Sequence, residues 1–421
     1  MNTETPVPSA RTRSREELAD YLLDIGATLA SFGCPSYRLE DVIRLVADLE
    51  GFRAEPFALP TGLFLRIVPK ERKAGEVVPE VHRMTRLFDW GVDLDRLALV
   101  DEIFNDVAAK KSTIERARAR IREVVAKPPV WSKTMVWAGA TVCSAAAAVF
   151  FRGTAIDVLV AAIVGAVIGG ARAMLSARHA QRLLNDFLGG LFAAGCAGIA
   201  TRIWHDSTPE VVVLAGAISL FPGMTFTTGL AEVAQKNLVS GGARLMESAV
   251  TLLLILFGVA LVAGLQEVAG VAPMVARPHE ALGLPWQAAG LVASSIGFAV
   301  VFQMPRRFLW AALVSGATGY AVTAVAVRHL PMHVAAFCAA LAVCVLANGL
   351  ARATNRPSQL FQLPGMMLLV PGSFGFLSLG DFLHGQIVEG AAKGFNMSLV
   401  GAALVIGVLV ANVVLPARKL L

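Results

Sequence analysis

Two Pro-Gly pairs, Pro222-Gly223 and Pro371-Gly372, interrupt long apolar stretches. Proline in mid-helix removes a hydrogen bond and clashes with the preceding turn. Bare backbone at membrane depth is tolerated only where it is buried in protein or lines a cavity. A half-helix restarting at such a break has free amides that could hold a substrate carboxylate. Thr225, Thr227, Thr228 and Ser373 add hydroxyls nearby. Pro222, Gly223, Thr225, Thr228, Pro371, Gly372 and Ser373 are therefore candidate substrate-binding residues, with ordinary proline kinks as the alternative. Glu232 and Asp381 each follow the proline of a break by ten residues, and Glu247 begins the next apolar stretch, at a position matched by Asn396 in the second half. Carboxyl groups close to hydrocarbon are costly and commonly functional, so these three are candidate proton carriers. Interfacial capping, or pairing with Lys236 or Arg244, is the alternative.

A second group lies in the polar amino-terminal part. Ser36, Arg38 and Glu40 stand in Gly33-Cys34-Pro35-Ser36-Tyr37-Arg38-Leu39-Glu40-Asp41, and Thr61 in Pro60-Thr61-Gly62. Arg38 and Glu40 also read as a salt-bridged helix start. A membrane-anchored hydrolase would need Cys34 or Ser36 as nucleophile and His82 as base, but no triad spacing supports it. Cys143, Cys196, Cys338 and Cys344 fall in apolar runs without metal-ligand or redox spacing, so neither a metal nor a cofactor is implied. Gly165 to Gly170 carries small residues four apart, which in a membrane helix means close packing. No Walker loop is present, which argues against ATP-driven transport by this chain.

Bilayer-crossing segments must position these residues. The chain has 421 residues with 56% hydrophobic and only 16% charged, well below the roughly 25% charged of soluble proteins. Residues 1–134 carry 21 basic and 21 acidic residues, so the net +6 charge comes from the remainder. The neutral polar part argues against a nucleic-acid partner. That part predicts a small α+β domain over 1–129. Its first helix runs from Ser14, with Glu17 as capping-box partner, to Phe32, and a second from Arg38 to Leu49. Extended segments follow at 52–59 and 63–68, then two or three helices to about Ala126. The polar amino terminus lacks a signal-like apolar core, so the domain is expected in the cytosol.

Ten spans are predicted, near 134–151, 154–171, 186–204, 211–230, 248–266, 284–303, 308–327, 332–350, 358–379 and 395–415. Asp157, Asn185 and Asp186 lie at span ends and read as boundary residues. With the amino terminus inside, the inner loops hold eleven Lys and Arg and the outer loops five, the expected bias. Both termini are then cytosolic. An offset of 149 residues superposes the two Pro-Gly pairs and also matches Trp137 with Trp286, Glu232 with Asp381, and Gly258 with Gly407. The expected architecture is membrane all-α, ten helices as a 5+5 inverted repeat, with halves at 130–270 and 271–421. Inverted repeats of this kind are a hallmark of secondary transporters.

The Gly33–Asp41 segment, Pro60-Thr61-Gly62 and the layout of a cytosolic domain ahead of two five-span sets resemble the threonine/serine exporter family over nearly the whole chain. The resemblance implies an inner-membrane antiporter that exports threonine, serine or related small metabolites using the proton gradient. Some relatives split the halves between polypeptides and are linked to dicarboxylate export, so a succinate-type substrate is the alternative. A channel is a further alternative, distinguished by uncoupled flux. The implied partners are a small-molecule substrate and the lipid bilayer, with a homo-oligomer left open.

Overall fold

A computed structural model describes residues 10–70, 80–87, 91–175, 179–270 and 280–416. Arg178, Arg277, Arg418 and Lys419, counted among the loop charges, lie outside the described residues, as does the start of the second expected half.

In the amino-terminal domain, helices α1 (Ala10–Ser31) and α2 (Ser36–Leu49) pack with an antiparallel sheet of order β1 (Phe52–Leu59), β2 (Gly62–Pro69), β3 (Val81–Arg86). Helix α1 begins at Ala10, so Ser14 lies inside it and the expected Ser14–Glu17 capping box is not at its start. Gly33 ends the helix with φ +90°, where a side chain would also meet Gly91 O and Val92 at 3.1 Å. The β1–β2 hairpin matches expectation, with Leu59 opposite Gly62.

Strand β3 corrects an expectation of helix. Its six residues are short and polar, but they complete the ladder of β2, and Arg66 on β2 anchors the approach by pairing with Glu80 at 2.5 Å. Helix α3 (Leu94–Ala108) is capped by Asp93, which accepts from Arg96 N at 2.9 Å, and α4 (Ile114–Ala126) by Thr113. Tyr21, Leu22, Ile25, Leu39, Ile43 and Phe104 are fully buried between these layers.

The remainder is helical: α5 (Lys133–Phe150), α6 (Ala155–Leu175), α7 (His179–Ile203), α8 (Pro209–Gly216), α9 (Gly223–Ala234) and α10 (Leu238–Val268), then α11 (Leu284–Val301), α12 (Leu309–Ala326), α13 (Met332–Thr354), α14 (Gln359–Met367), α15 (Gly372–Leu383) and α16 (Ile387–Val414). Among the described residues nine stretches are long and apolar enough to cross a bilayer, against ten expected. The difference is the expected span 211–230. Helix α8 ends at Gly216 and α9 starts at Gly223, leaving each piece too short on its own. The protein is a multi-pass membrane protein.

The membrane and polar parts share one core. The buried cluster holding Leu22, Ile43 and Phe104 continues into Ala299, Phe302, Met304, Phe308 and Phe361 of the α11–α14 region. At the junction, Leu94 N donates to Phe302 O at 2.9 Å, Trp131 Nε1 to Met304 O at 2.8 Å, and Arg356 to Glu102 at 2.9 Å. Loops 302–306 and 354–358 therefore lie on the same side of the membrane part as the domain.

Candidate site at two broken helices

The first break forms because α8 unwinds into short turns. Ile218 N reaches Ala215 O, and Leu220 N reaches Ala217 O, before Pro222 starts α9 and accepts from Phe226 N at 2.8 Å. The second has the same plan. Helix α14 ends at Met367, Leu369 N turns back to Met366 O, and Pro371 O accepts from Phe374 N at 3.2 Å as α15 begins. In both, proline supplies no amide where the ladder stops.

The two breaks, 149 residues apart in sequence, abut in space. A Cβ placed on Gly223 would lie 3.2 Å from Gly372 N and 3.3 Å from Gly372 Cα, and 2.1 Å from Val370 Cγ1. Phe221 and Phe376 pack beside them in a tilted pair with ring centroids 5.3 Å apart. Pro371, Gly223 and Gly372 are buried, whereas Pro222, Thr225, Thr228 and Ser373 are half-buried around them. Thr227 bonds its own helix at Gly223 O, and Ser248 of α10 reaches Pro222 O at 3.5 Å. The backbone of the first break also accepts from Arg172, which donates to Ser219 O at 3.3 Å. Arg172 is one of the eleven basic residues expected in the inner loops, and the sequence carries no sign of this bond. Asp186 has Arg172 and Glu247 as charged neighbours, while Glu247 itself is exposed on α10.

Glu232 is fully buried and accepts from three directions: Ser36 N at 2.9 Å, Ser240 Oγ at 2.7 Å and Arg244 Nε at 3.1 Å. Its contact with the amino end of α2 joins it to the amino-terminal motif. Ser36 Oγ lies 2.8 Å from Ser240 Oγ. Glu40 accepts from Ala58 N at 3.0 Å and from Asn237 at 3.3 Å, and pairs with Arg44 at 2.6 Å. The salt bridge of the motif thus runs to Arg44. Arg38 is half-buried, and Thr61 sits exposed in the hairpin turn, its carbonyl accepting from Leu87 N.

Asp381 pairs with Lys393 at 2.7 Å across the α15–α16 turn. One candidate span, Gln359–Asp381, separates this turn from Arg356, which is held at the domain. Both acids precede their base by twelve residues, and acid and base alike are related by the 149-residue offset. Asp157, expected as a boundary residue, is a buried staple, accepting from Thr154 N, Ser207 Oγ and Thr208 N within 2.9 Å.

The nucleophile and base considered for a hydrolase each have other company. Ser36 binds Ser240, and His82 stands exposed on β3 beside Glu80 at 3.4 Å. Burial pushes the Cys34 thiol up to about 12, with Glu232 adding to the rise and Arg38 opposing it. A thiol so held is a poor nucleophile at neutral pH.

Residues 20–266 match the family described as "Putative threonine/serine exporter", and residues 287–414 that described as "Threonine/Serine exporter, ThrE". An uncharacterized protein of Schizosaccharomyces pombe is 25% identical over 259 residues, 59% of this chain and 30% of its own length. A second from the same yeast is 24% identical over 58% of this chain and 32% of its own. Pheromone-regulated membrane protein 10 of Yarrowia lipolytica is 21% identical over 57% of this chain and 20% of its own. The chain thus spans a third or less of the length of these curated relatives. No solved structure matches.

Proposed function

Because the chain belongs to the threonine/serine exporter family, with more than half of its length matched, we propose that it is a secondary active transporter. In this reading it exports threonine, serine or a related small polar metabolite across the inner membrane, driven by the proton gradient. The observation that carries the reading is the meeting of two broken helices at Gly223 and Gly372, one within residues 20–266 and the other within 287–414. Discontinuous helices in corresponding positions are the expected seat of a transport site.

The halves are related as an inverted repeat. Counting α8 with α9, and α14 with α15, as one broken crossing each gives five per set, an odd number, which would put the matched ion pairs, Glu232 with Arg244 and Asp381 with Lys393, at opposite ends of the membrane part. The substrate sits against the half-helix starts, near Pro222, Gly223, Thr225 and Thr228 on one side and Pro371, Gly372 and Ser373 on the other. Glu232 and Asp381 carry the coupled proton, with Glu247 as the remaining candidate. Protonating either acid of the two pairs would release the base it holds, which links proton binding to movement at one mouth. The amino-terminal domain and both termini face the cytosol.

Purified protein in vesicles preloaded with threonine, serine or succinate tests this. Efflux of threonine or serine that accelerates with an inward proton gradient is expected. Faster succinate efflux would favour the dicarboxylate alternative, and flux blind to the gradient would overturn proton coupling. Glu232→Gln or Asp381→Asn should lose gradient-driven efflux while retaining exchange, because exchange moves no net proton.

A further inference from the structure

The amino-terminal domain touches both five-helix sets, but by chemically different grips. Its grip on the second set is an extension of its own hydrophobic core: Phe302, Met304, Phe308 and Phe361 belong to the same buried cluster as Leu22 and Phe104. Separating those surfaces would expose apolar area that the shared core now buries. Its grip on the first set is polar. Among the described residues it includes Ser36 N and Ser36 Oγ against Glu232 and Ser240, and Glu40 against Asn237. Such bonds can be replaced by bonds to water once the contact opens, at a small net cost.

We propose that the domain is a clasp built into one half of the transporter, riding rigidly on α11–α14 and releasing the first half at the Ser36–Glu232–Ser240 contact whenever the domain-side mouth opens. This rests on the transporter reading above. Three points support it. The clasp holds the end of α9, the half-helix that starts at the Pro222-Gly223 break, so releasing it frees the element that forms one wall of the site. Among the described residues none of the domain bonds the counterpart pair, Asp381 with Lys393, and its lysine is 40% exposed against 12% for Arg244. The two mouths are therefore unequal, and the domain-side one carries an additional lock. Finally, a body that holds both halves at one end prevents their separation there unless one grip lets go, and the polar grip is the weaker.

The test compares the two grips in a chain whose five native cysteines have been replaced. A disulfide between Ser36→Cys and Ser240→Cys should slow efflux at least tenfold, and reduction should restore it, which also shows that the variant is folded. Joining Glu102→Cys to Arg356→Cys with a short bis-maleimide, across the second grip, should leave efflux within twofold. Unchanged efflux with the first pair locked, or arrest on joining the second, overturns the clasp. A readout independent of transport separates this from a wrong substrate assignment. Maleimide labelling of Ser240→Cys, a position only 2% exposed, should speed up at least fivefold when Glu232→Gln is added, while labelling of Arg356→Cys stays the same. Equal labelling rates with and without Glu232→Gln overturn the clasp whatever the protein carries. Failure of the reduced chain to move threonine, serine or succinate, with the labelling difference intact, would strike the transport reading instead and leave the clasp standing.

Discussion

The meeting of the two breaks can be probed with one methyl group. In Gly223→Ala the new carbon would sit 2.1 Å from Val370 Cγ1, about 1.4 Å inside the ~3.5 Å at which carbon atoms rest against each other. Val370 can withdraw its methyl by changing rotamer. The amide of Gly372 at 3.2 Å and its Cα at 3.3 Å are backbone and can yield only if the second break moves as a whole. Overpacking of this kind costs about 1–3 kcal/mol. Gly372→Ala meets milder contacts, 3.2 Å to Phe221 Cβ and 3.4 Å to Gly223 Cα, and should cost less. Because both new methyl groups enter one seam, the double variant should depart from additivity by about 0.5 kcal/mol or more, as residues in contact do. Gly264→Ala on α10, with open space around it, is the control and should be neutral or stabilising. Thermal unfolding in detergent gives the ranking, and vesicle efflux gives the functional cost, which should follow the same order. A Gly223→Ala protein as stable and active as Gly264→Ala would refute the packed seam and the site built on it.

Three more outcomes are expected. Glu232→Gln should lower the melting temperature more than Asp381→Asn. The former removes the carboxylate from an arginine whose side chain is 12% exposed, where breaking a buried pair costs about 3–5 kcal/mol, whereas water reaches Lys393. Cys34, held up to about 12 by burial, should remain a thiol as pH rises through 9. Its peptide should therefore gain maleimide at pH 8 at least ~100-fold more slowly in native than in denatured protein, as followed by mass spectrometry. Reporter fusions after Pro209 and Gln266 should signal from outside and those after Lys236 and Arg356 from inside, and a cytosolic signal at Gln266 would remove a crossing and the inverted repeat with it.

Hydropathy made the long spans legible, since α10, α13 and α16 are continuous apolar runs with polar ends. The breaks were legible at Pro222 and Pro371 because proline acts locally. Unwinding already at Ala217 was not, since nothing in Ala217 to Leu220 is itself a helix breaker. Strand β3 escaped because Val81 to Arg86 has strand character only once β2 lies beside it. The role of Glu232 was half visible. A carboxyl near hydrocarbon suggested function, and Arg244 was among its conceivable partners. Ser36, 196 residues earlier, leaves no local mark of the bond it makes. Periodicity and composition report on neighbours along the chain, so a contact between a soluble helix and a membrane helix lies beyond them.

The shared core has a consequence for the order of biosynthesis. The amino-terminal domain leaves the ribosome first, yet the aromatic residues that finish its interior, Phe302, Phe308 and Phe361, belong to the second half. Leu94 must wait for Phe302, 208 residues downstream, which at ordinary rates of synthesis is roughly 10–40 s. During that interval the domain presents an uncovered apolar face while helices α5 to α11 are made. The helices from α11 to α14 then close the fold of the domain that was made before them.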